Sequence, residues 1–216
     1  MNLPPKSILY RNLMELRLLS PRDGAAIFRA VRESLPSLKK FMSWAHYSED
    51  LAKACSIYAD FEARSLRGEE VHFAGFDTES GEFLFCASLT PGSRLNRLAF
   101  EIGYWVSSKH QNRGFGTSAA KILIVLAFRY FQAERLSVVC NLENKRSIKV
   151  IEKCGFHVEG ILRNYHGTPP QQMIANGLSP ITDVFSYSLV PTDISRLSWF
   201  DEIHRDLLIS RFASHS

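Results

Sequence analysis

The chain predicts one α/β domain, a mixed and mostly antiparallel twisted sheet flanked by helices, and three features of its 216 residues carry that reading. The runs Val71–Phe76, Glu82–Leu89 and Leu98–Val106 read as three strands, the first two flanking a polar loop of hairpin length, as an antiparallel meander would. A glycine turn, Gln111-Asn112-Arg113-Gly114-Phe115-Gly116-Thr117, then leads into a long apolar helix from Gly116 to Gln132. Beyond it come a β-branched strand, Leu136–Cys140, and a short helix that Asn144 caps and Gly155 ends.

The remaining elements follow in order. Leu13–Leu19 is a first strand, with Met14, Leu16 and Leu18 on one face. Ser20-Pro21 opens a helix, with Ser20 at the cap and Pro21 in the first turn. Leu35–Ala45 is a short helix, and a third runs from Ser48 or Glu49 to Leu66. Asp77-Thr78-Glu79-Ser80-Gly81 has hairpin length. The long helix has Ser118, Lys121, Arg129 and Gln132 as its polar stripe, so most of its circumference should be buried. Phe156–Arg163 and Ile181–Val190 are two more strands, joined by a Gly167–Pro180 loop long enough to be a mobile element on the substrate side. The tail, 193–216, has helical spacing at Leu197, Phe200, Ile203 and Leu207, and is expected to be an amphipathic extension to a domain of residues 1–192.

Composition narrows the function classes. Hydrophobic residues make up 45% and charged residues 22%, ordinary for a soluble globular chain. A net charge of +4 and basic runs no longer than Lys39-Lys40 give no nucleic-acid groove. Cys55, Cys86, Cys140 and Cys154 are scattered among apolar neighbours with no CxxC pair, which reads as reduced core thiols. The seven histidines lack ligand-like spacing, so no metal is expected. Met1 to Lys6 has no secretory h-region, and the most apolar window, Ile122 to Phe131, is too short for a bilayer. A cytoplasmic protein without membrane contact is expected.

Two glycines between a strand and a helix expose backbone N–H groups at the positive end of a helix dipole, which suits a phosphorylated ligand. Gly114-x-Gly116-x-x-Ala119 fits a loose dinucleotide fingerprint, with Glu134 about twenty residues on. The context opposes that reading. Seven residues separate Val106 from Gly114, Glu134 precedes the next strand instead of ending it, and an antiparallel meander lies upstream.

The full string resembles the GNAT acetyltransferase superfamily, whose cofactor motif Q/R-x-x-G-x-G/A is met by Gln111, Gly114 and Gly116. Within it the chain resembles the RimJ/RimL type, which acetylates the N-terminal amine of ribosomal proteins. That closer likeness rests on Glu101-Ile102-Gly103-Tyr104-Trp105-Val106, Asn144-x-x-Ser147, Glu152-Lys153-Cys154-Gly155-Phe156 and Glu159-Gly160-Ile161-Leu162-Arg163. Trp44-Ala45 and Asp183 fit as well, and the resemblance spans about residues 12–192.

The resemblance implies a strand ending near Val106 that splays from the strand at Leu136–Cys140, with the pantetheine of acetyl-CoA in the gap. The pyrophosphate would rest on amides of Gln111, Asn112, Arg113, Gly114, Phe115, Gly116 and Thr117, and Asn144 could bond pantetheine. Arg113 could add a charged contact or be solvated at the surface. Glu101 is the general base by this reading, or else a structural partner of a neighbouring element. The tyrosine that many members carry four residues before the Gly of Gly-Phe is Ile151 here, which shifts the leaving-thiolate role to Ser147. Ser147 could equally bond backbone in the first turn of its helix.

The implied activity is acetyl transfer from acetyl-CoA to a primary amine by direct attack, with a protein N-terminus as the preferred acceptor. Small-amine acetylation (a polyamine, amino acid or antibiotic) and a non-catalytic acyl-CoA-binding module are the alternatives. The partners expected are acetyl-CoA, the amine acceptor and, at most, a second copy of the chain.

Overall fold

The computed structural model describes residues 3–47, 50–92 and 98–211. The chain opens with the hairpin β1 (Ser7–Tyr10) and β2 (Met14–Leu18). The helices α1 (Gly24–Leu38) and α2 (Leu51–Leu66) come next. The meander β3 (Val71–Asp77), β4 (Phe83–Pro91) and β5 (Ala99–Val106) leads to α3 (Phe115–Val125). Then follow β6 (Arg135–Asn141), α4 (Lys145–Lys153), β7 (His157–Leu162), α5 (Gln171–Ala175) and β8 (Val184–Leu189). The chain ends with α6 (Phe200–Arg205) and β9 (Leu207–Ser210). All nine strands lie in one sheet, ordered β7-β8-β6-β5-β4-β3-β2-β1-β9.

Every pairing in that sheet is antiparallel except β5 with β6, which α3 connects as a crossover. The parallel pair is short. It covers Ala99↔Arg135, Phe100↔Leu136 and Glu101↔Ser137, after which β5 continues along β4 and β6 along β8. Residues 102–106 therefore have no strand partner on their β6 side. This is the splay that the resemblance implied.

Alternation along β5 sorts its side chains between two cores. Phe100 and Ile102, with Tyr104 and Val106 packed against them, join the larger cluster under α3 and α4. Trp105 packs with the second cluster, which includes Ile27, Val31, Ala74 and Phe83 beneath α1 and α2. Phe73, Phe85, Phe100 and Phe200 are among the largest fully buried side chains. Each such ring contributes about 1.5–3 kcal/mol of transfer free energy.

Several elements differ from the expectation. Ser20 does not cap: Pro21–Asp23 forms a 3-10 turn, and the Ser20 hydroxyl is buried without a partner. The helix expected at 35–45 is divided, because α1 runs through Pro36 to Leu38 and Ser43–Tyr47 is a 3-10 turn. The expected start of the third helix, Ser48 or Glu49, lies outside the described residues; Asp50 caps α2, its carboxylate accepting from the Ala52 N–H at 2.8 Å. The long apolar helix forms as α3 and ends in a π-helical turn over Leu126–Tyr130.

The tail is the largest departure. It is not one helix: a 3-10 turn at Pro191–Arg196 and the six-residue α6 precede β9, which pairs with β1. Phe200, Ile203 and Leu207 are buried as an amphipathic helix would have buried them, but β1 offers an open edge, and the backbone of 207–210 gains ladder hydrogen bonds there. Arg11, at the turn of the first hairpin, pairs with Glu202 and, at 2.6 Å, with Asp206.

Candidate active site

The splay opens beside Glu101. Its carboxylate is half-buried, and burial raises its pKa above the usual carboxylate value. No lysine, arginine or histidine pairs with it among the described residues, so the role of structural ion-pair partner finds no support in the contacts. Parity along β5 puts Glu101, Gly103 and Trp105 on the α1/α2 face, where β4 sets Thr90, Ser88 and Cys86 opposite them. Trp105 lies 6.0 Å from Trp44 and 5.2 Å from Phe83, ring centre to ring centre. A Cβ on Gly103 would meet Ser88 Oγ at 2.9 Å, so the sheet floor between Glu101 and Trp105 is lined by small groups.

The Gly167–Pro180 loop runs between the end of the α1 region and the β6–α4 connection. It contains α5, with Met173 buried, and it is pinned on two sides. The Ser179 N–H donates to the Lys40 carbonyl at 3.0 Å, and the Ser179 hydroxyl donates to Glu143 at 2.7 Å. Just before the loop, Tyr165 lies close enough to Glu101 for the carboxylate to raise its phenol pKa, in addition to the effect of burial. Sequence reasoning left Tyr165 out, and nothing in its neighbours would have marked it.

On the opposite face of β5, Tyr104 reaches across to α4. Its hydroxyl lies 2.9 Å from Ser147 Oγ and 3.4 Å from the Ser147 carbonyl. The Ser147 hydroxyl thus bonds a side chain across the splay, while its N–H is capped by Asn144 Oδ1 at 3.2 Å. Burial raises the Tyr104 pKa, so the phenol is neutral throughout the physiological range. Cys140, on β6, is buried with its thiol pKa raised, which fits a core residue. Ile151, where the family tyrosine would stand, is buried in the core.

The glycine turn lies at the far end of the splay. Asn112 and Gly114 both have left-handed backbone, φ 62° and 89°. Gln111 before them is extended, and the left-handed Gly114 directly precedes the right-handed first turn of α3, a pairing that turns the amides there to one side as in an anion-binding nest. The first hydrogen bond of α3 runs from the Ser118 N–H to the Gly114 carbonyl, so the amides of Phe115, Gly116 and Thr117 have no helical acceptor. A Cβ at Gly114 would meet nothing within 4 Å, and one at Gly116 would make ordinary contacts, 3.5 Å to Val106 and 3.7 Å to Val150. Chain packing therefore leaves the space over Gly114 open, while Gly116 faces Val106 and Val150. A phosphate-bearing ligand fits that opening.

The polar side chains of the turn brace it. Gln111 Nε2 reaches the Val106 carbonyl at 3.4 Å, and its Oε1 accepts from Arg146 of α4 at 2.6 Å, so the residue ties the two walls of the splay together. Arg113 donates to His110 Nδ1 at 3.0 Å and lies over the Phe115 ring. Burial lowers the His110 pKa, so a neutral ring accepts from Arg113 and turns Nε2 towards Glu82. Arg113 is folded back on the protein, and the backbone is what the cradle presents.

His72 is satisfied where it sits. It stacks on Phe61 at 4.0 Å and bonds Glu70, which Arg64 holds at 3.0 Å. His46 bonds the Lys39 carbonyl. Among the described residues no group of three His, Cys, Asp or Glu could hold a metal, and no helix is long and apolar enough to cross a membrane.

Comparison with known proteins gives a family and a fold. The family model described as an acetyltransferase (GNAT) domain matches residues 14–157. The ribosomal-protein-serine acetyltransferase of Escherichia coli (strain K12) is 35% identical over 150 residues, 69% of this chain and 82% of that protein. In solved structures, the RimL ribosomal L7/L12 alpha-N-protein acetyltransferase in complex with coenzyme A superposes with a TM-score of 0.71. That match has 20% identity and covers 82% of this chain and 94% of the other. The microcin C7 self-immunity acetyltransferase MccE, in complex with acetyl-CoA and AMP, gives a TM-score of 0.70 at 20% identity, covering 82% and 92%.

Proposed function

The chain belongs to the GNAT family of acetyltransferases, and from that premise we propose that it transfers acetyl from acetyl-CoA to the α-amine of a protein N-terminus. The observation that carries the reading is the two-sided slot between β5 and β6. A half-buried carboxylate without an ion-pair partner among the described residues, Glu101, sits on one face, and two bonded hydroxyls, Tyr104 and Ser147, sit on the other. A base and a leaving-group donor on opposite sides of one opening suit direct displacement, in which the amine enters from the α1/α2 side.

Acetyl-CoA supplies the acetyl group as a thioester: the C–N bond forms, the C–S bond breaks, and the electron pair leaves on sulfur. The cradle at 111–117 and the unpaired edge of 102–106 hold the cofactor end. Glu101 takes the proton of the attacking amine, and its raised pKa brings it closer to that task than a solvated carboxylate. An α-amine titrates near 8 and a lysine side chain near 10.4, so a terminal amine needs less help at neutral pH. Holding both reactants in line supplies most of the rate. Asn144 is committed through Oδ1 to capping α4, which leaves its amide N–H groups for pantetheine.

The relative that modifies a ribosomal-protein serine, 35% identical, supports an N-terminal acceptor. The test is acetyl-CoA-dependent thiol release with peptides that begin in serine or alanine, beside spermidine, free amino acids and an aminoglycoside. Turnover confined to the peptides supports the reading, and turnover confined to a small amine reassigns the acceptor.

A further inference from the structure

In place of the family's α4 tyrosine the chain has Ile151, buried in the core, yet a phenol still reaches α4. We propose that Tyr104 is the positioning residue that holds Ser147 as a hydrogen-bond donor to the departing sulfur, from β5 instead of α4. This deepens the acetyl-transfer reading and rests on it.

Three observations support the assignment. The Tyr104–Ser147 bond spans the splay itself, joining its β5 wall to the first turn of α4. The Tyr104 ring also borders the cradle, since its Cε2 would lie 4.0 Å from a Cβ at Gly116. One side chain therefore runs from the phosphate end of the slot to the hydroxyl at its centre. Finally, Asn144 caps the Ser147 N–H, and among the described residues the serine hydroxyl donates to no backbone carbonyl; its side-chain neighbours are the Tyr104 phenol and the Cys140 thiol.

Either hydroxyl can donate in this bond, and the proposal takes Tyr104 as the donor. A neutral phenol has one proton and a serine hydroxyl one. When Tyr104 donates to Ser147 Oγ, the serine proton is free to point into the slot. The pair donates a hydrogen bond and does not surrender a proton. Burial raises the Tyr104 phenol above its ordinary value, so full transfer of its proton to the thiolate is disfavoured. The released proton of the amine leaves through Glu101 or solvent, and the thiolate departs stabilised by the serine O–H.

The test needs a readout that mere packing would not move. Coenzyme A bound to the protein is titrated by thiolate absorbance, in wild type, Tyr104→Phe, Ser147→Ala and the double variant. The proposal expects the bound thiol pKa to be lowest in wild type and equally raised in all three variants. On a serine-initiated peptide kcat should fall about 10–100-fold in each single variant, the range of a lost hydrogen bond to a charged group. The double variant should fall no further, with the KM for acetyl-CoA within about twofold. A bound-thiol pKa unchanged by Tyr104→Phe overturns the proposal, as does a double variant in which the two losses multiply. Thermal melting identifies a misfolded Tyr104→Phe, in which case Ser147→Ala carries the same expectation for the thiol pKa. If wild type turns over no amine at all, the acetyl-transfer reading fails, and the thiol titration still decides the Tyr104–Ser147 assignment.

Discussion

Glu101 lies opposite Ser137 at the last rung that joins β5 to β6, so the proposed base sits where the sheet divides. One residue earlier its carboxylate would point to the opposite face, into the core that Phe100 occupies; two later it would stand next to Trp105 on the same face. At the fork it is half-buried, unpaired and beside an opening.

Glu101→Gln should lower kcat by about 10²–10⁴-fold, the usual weight of a general base, while coenzyme A affinity holds. The pH dependence of stability has a defined sign. The folded pKa of Glu101 is raised by burial, so the folded state binds this proton more tightly than the unfolded chain. Its contribution is present below the unfolded carboxylate pKa and is lost as pH rises through the folded value. At pH 7 the charged carboxylate therefore costs stability, and Glu101→Gln should melt slightly higher than wild type while turning over more slowly. Melting curves at pH 4 and pH 7 check this: the variant's advantage should appear at the higher pH alone.

The cradle glycines separate into two cases. Gly116 sits in the first turn of α3, and a Cβ there makes ordinary contacts, so Gly116→Ala should stabilise by about 0.5–1 kcal/mol and keep coenzyme A binding, as the Q/R-x-x-G-x-G/A pattern allows. Gly116→Glu should abolish binding by placing bulk and negative charge in the nest. Gly114 has φ 89°, so Gly114→Ala should cost about 1 kcal/mol or more even though its Cβ meets nothing. Calorimetric titration with coenzyme A beside thermal melting reads both quantities.

The loop clamp predicts a KM effect confined to the acceptor. Glu143→Ala removes the 2.7 Å bond from Ser179 and loosens one of the two pins on the 167–180 segment. A single hydrogen bond contributes about 0.5–1.5 kcal/mol, so the peptide KM should rise several-fold while the acetyl-CoA KM stays constant. Equal rises in both constants would mean that the segment serves cofactor and acceptor alike.

Most of the frame was legible in the sequence because its signals are local. The meander, the glycine turn, the apolar α3 and the Asn144 cap each depend on residues near one another. What was not legible depends on distant partners. Leu207 fits a helical stripe with Phe200 and Ile203, and only the open edge of β1, almost two hundred residues earlier, turns 207–210 into a strand. β1 itself was missed for the same reason, being a four-residue strand with neighbours at 14–18 and 207–210. In the site, Glu101, Ser147 and the glycine turn carried motif signals, whereas Tyr104 was quoted without a role. Its position was open to reasoning, since strand parity sets it on the face opposite Glu101, but the bond to Ser147 crosses 43 residues of chain.

The tail bears on stability rather than chemistry. Phe200 is fully buried, and Phe200→Ala should cost about 3–5 kcal/mol. Arg11→Ala, which removes exposed pairs to Glu202 and Asp206, should cost no more than about 1 kcal/mol. Urea denaturation of both variants ranks the two contributions; the opposite ranking would show that ion pairs, and not burial, hold β9 to the domain.

The most direct test of the central claim is the pH–rate profile of acetyl-CoA-dependent thiol release on a serine-initiated peptide, for wild type and Glu101→Gln. The slot account expects the acidic limb of kcat in wild type to vanish or move in the variant, with its rate partly recovered at high pH where the amine loses its proton unaided. Turnover by Glu101→Gln at the wild-type rate with an unaltered profile would contradict a base at the fork of the sheet.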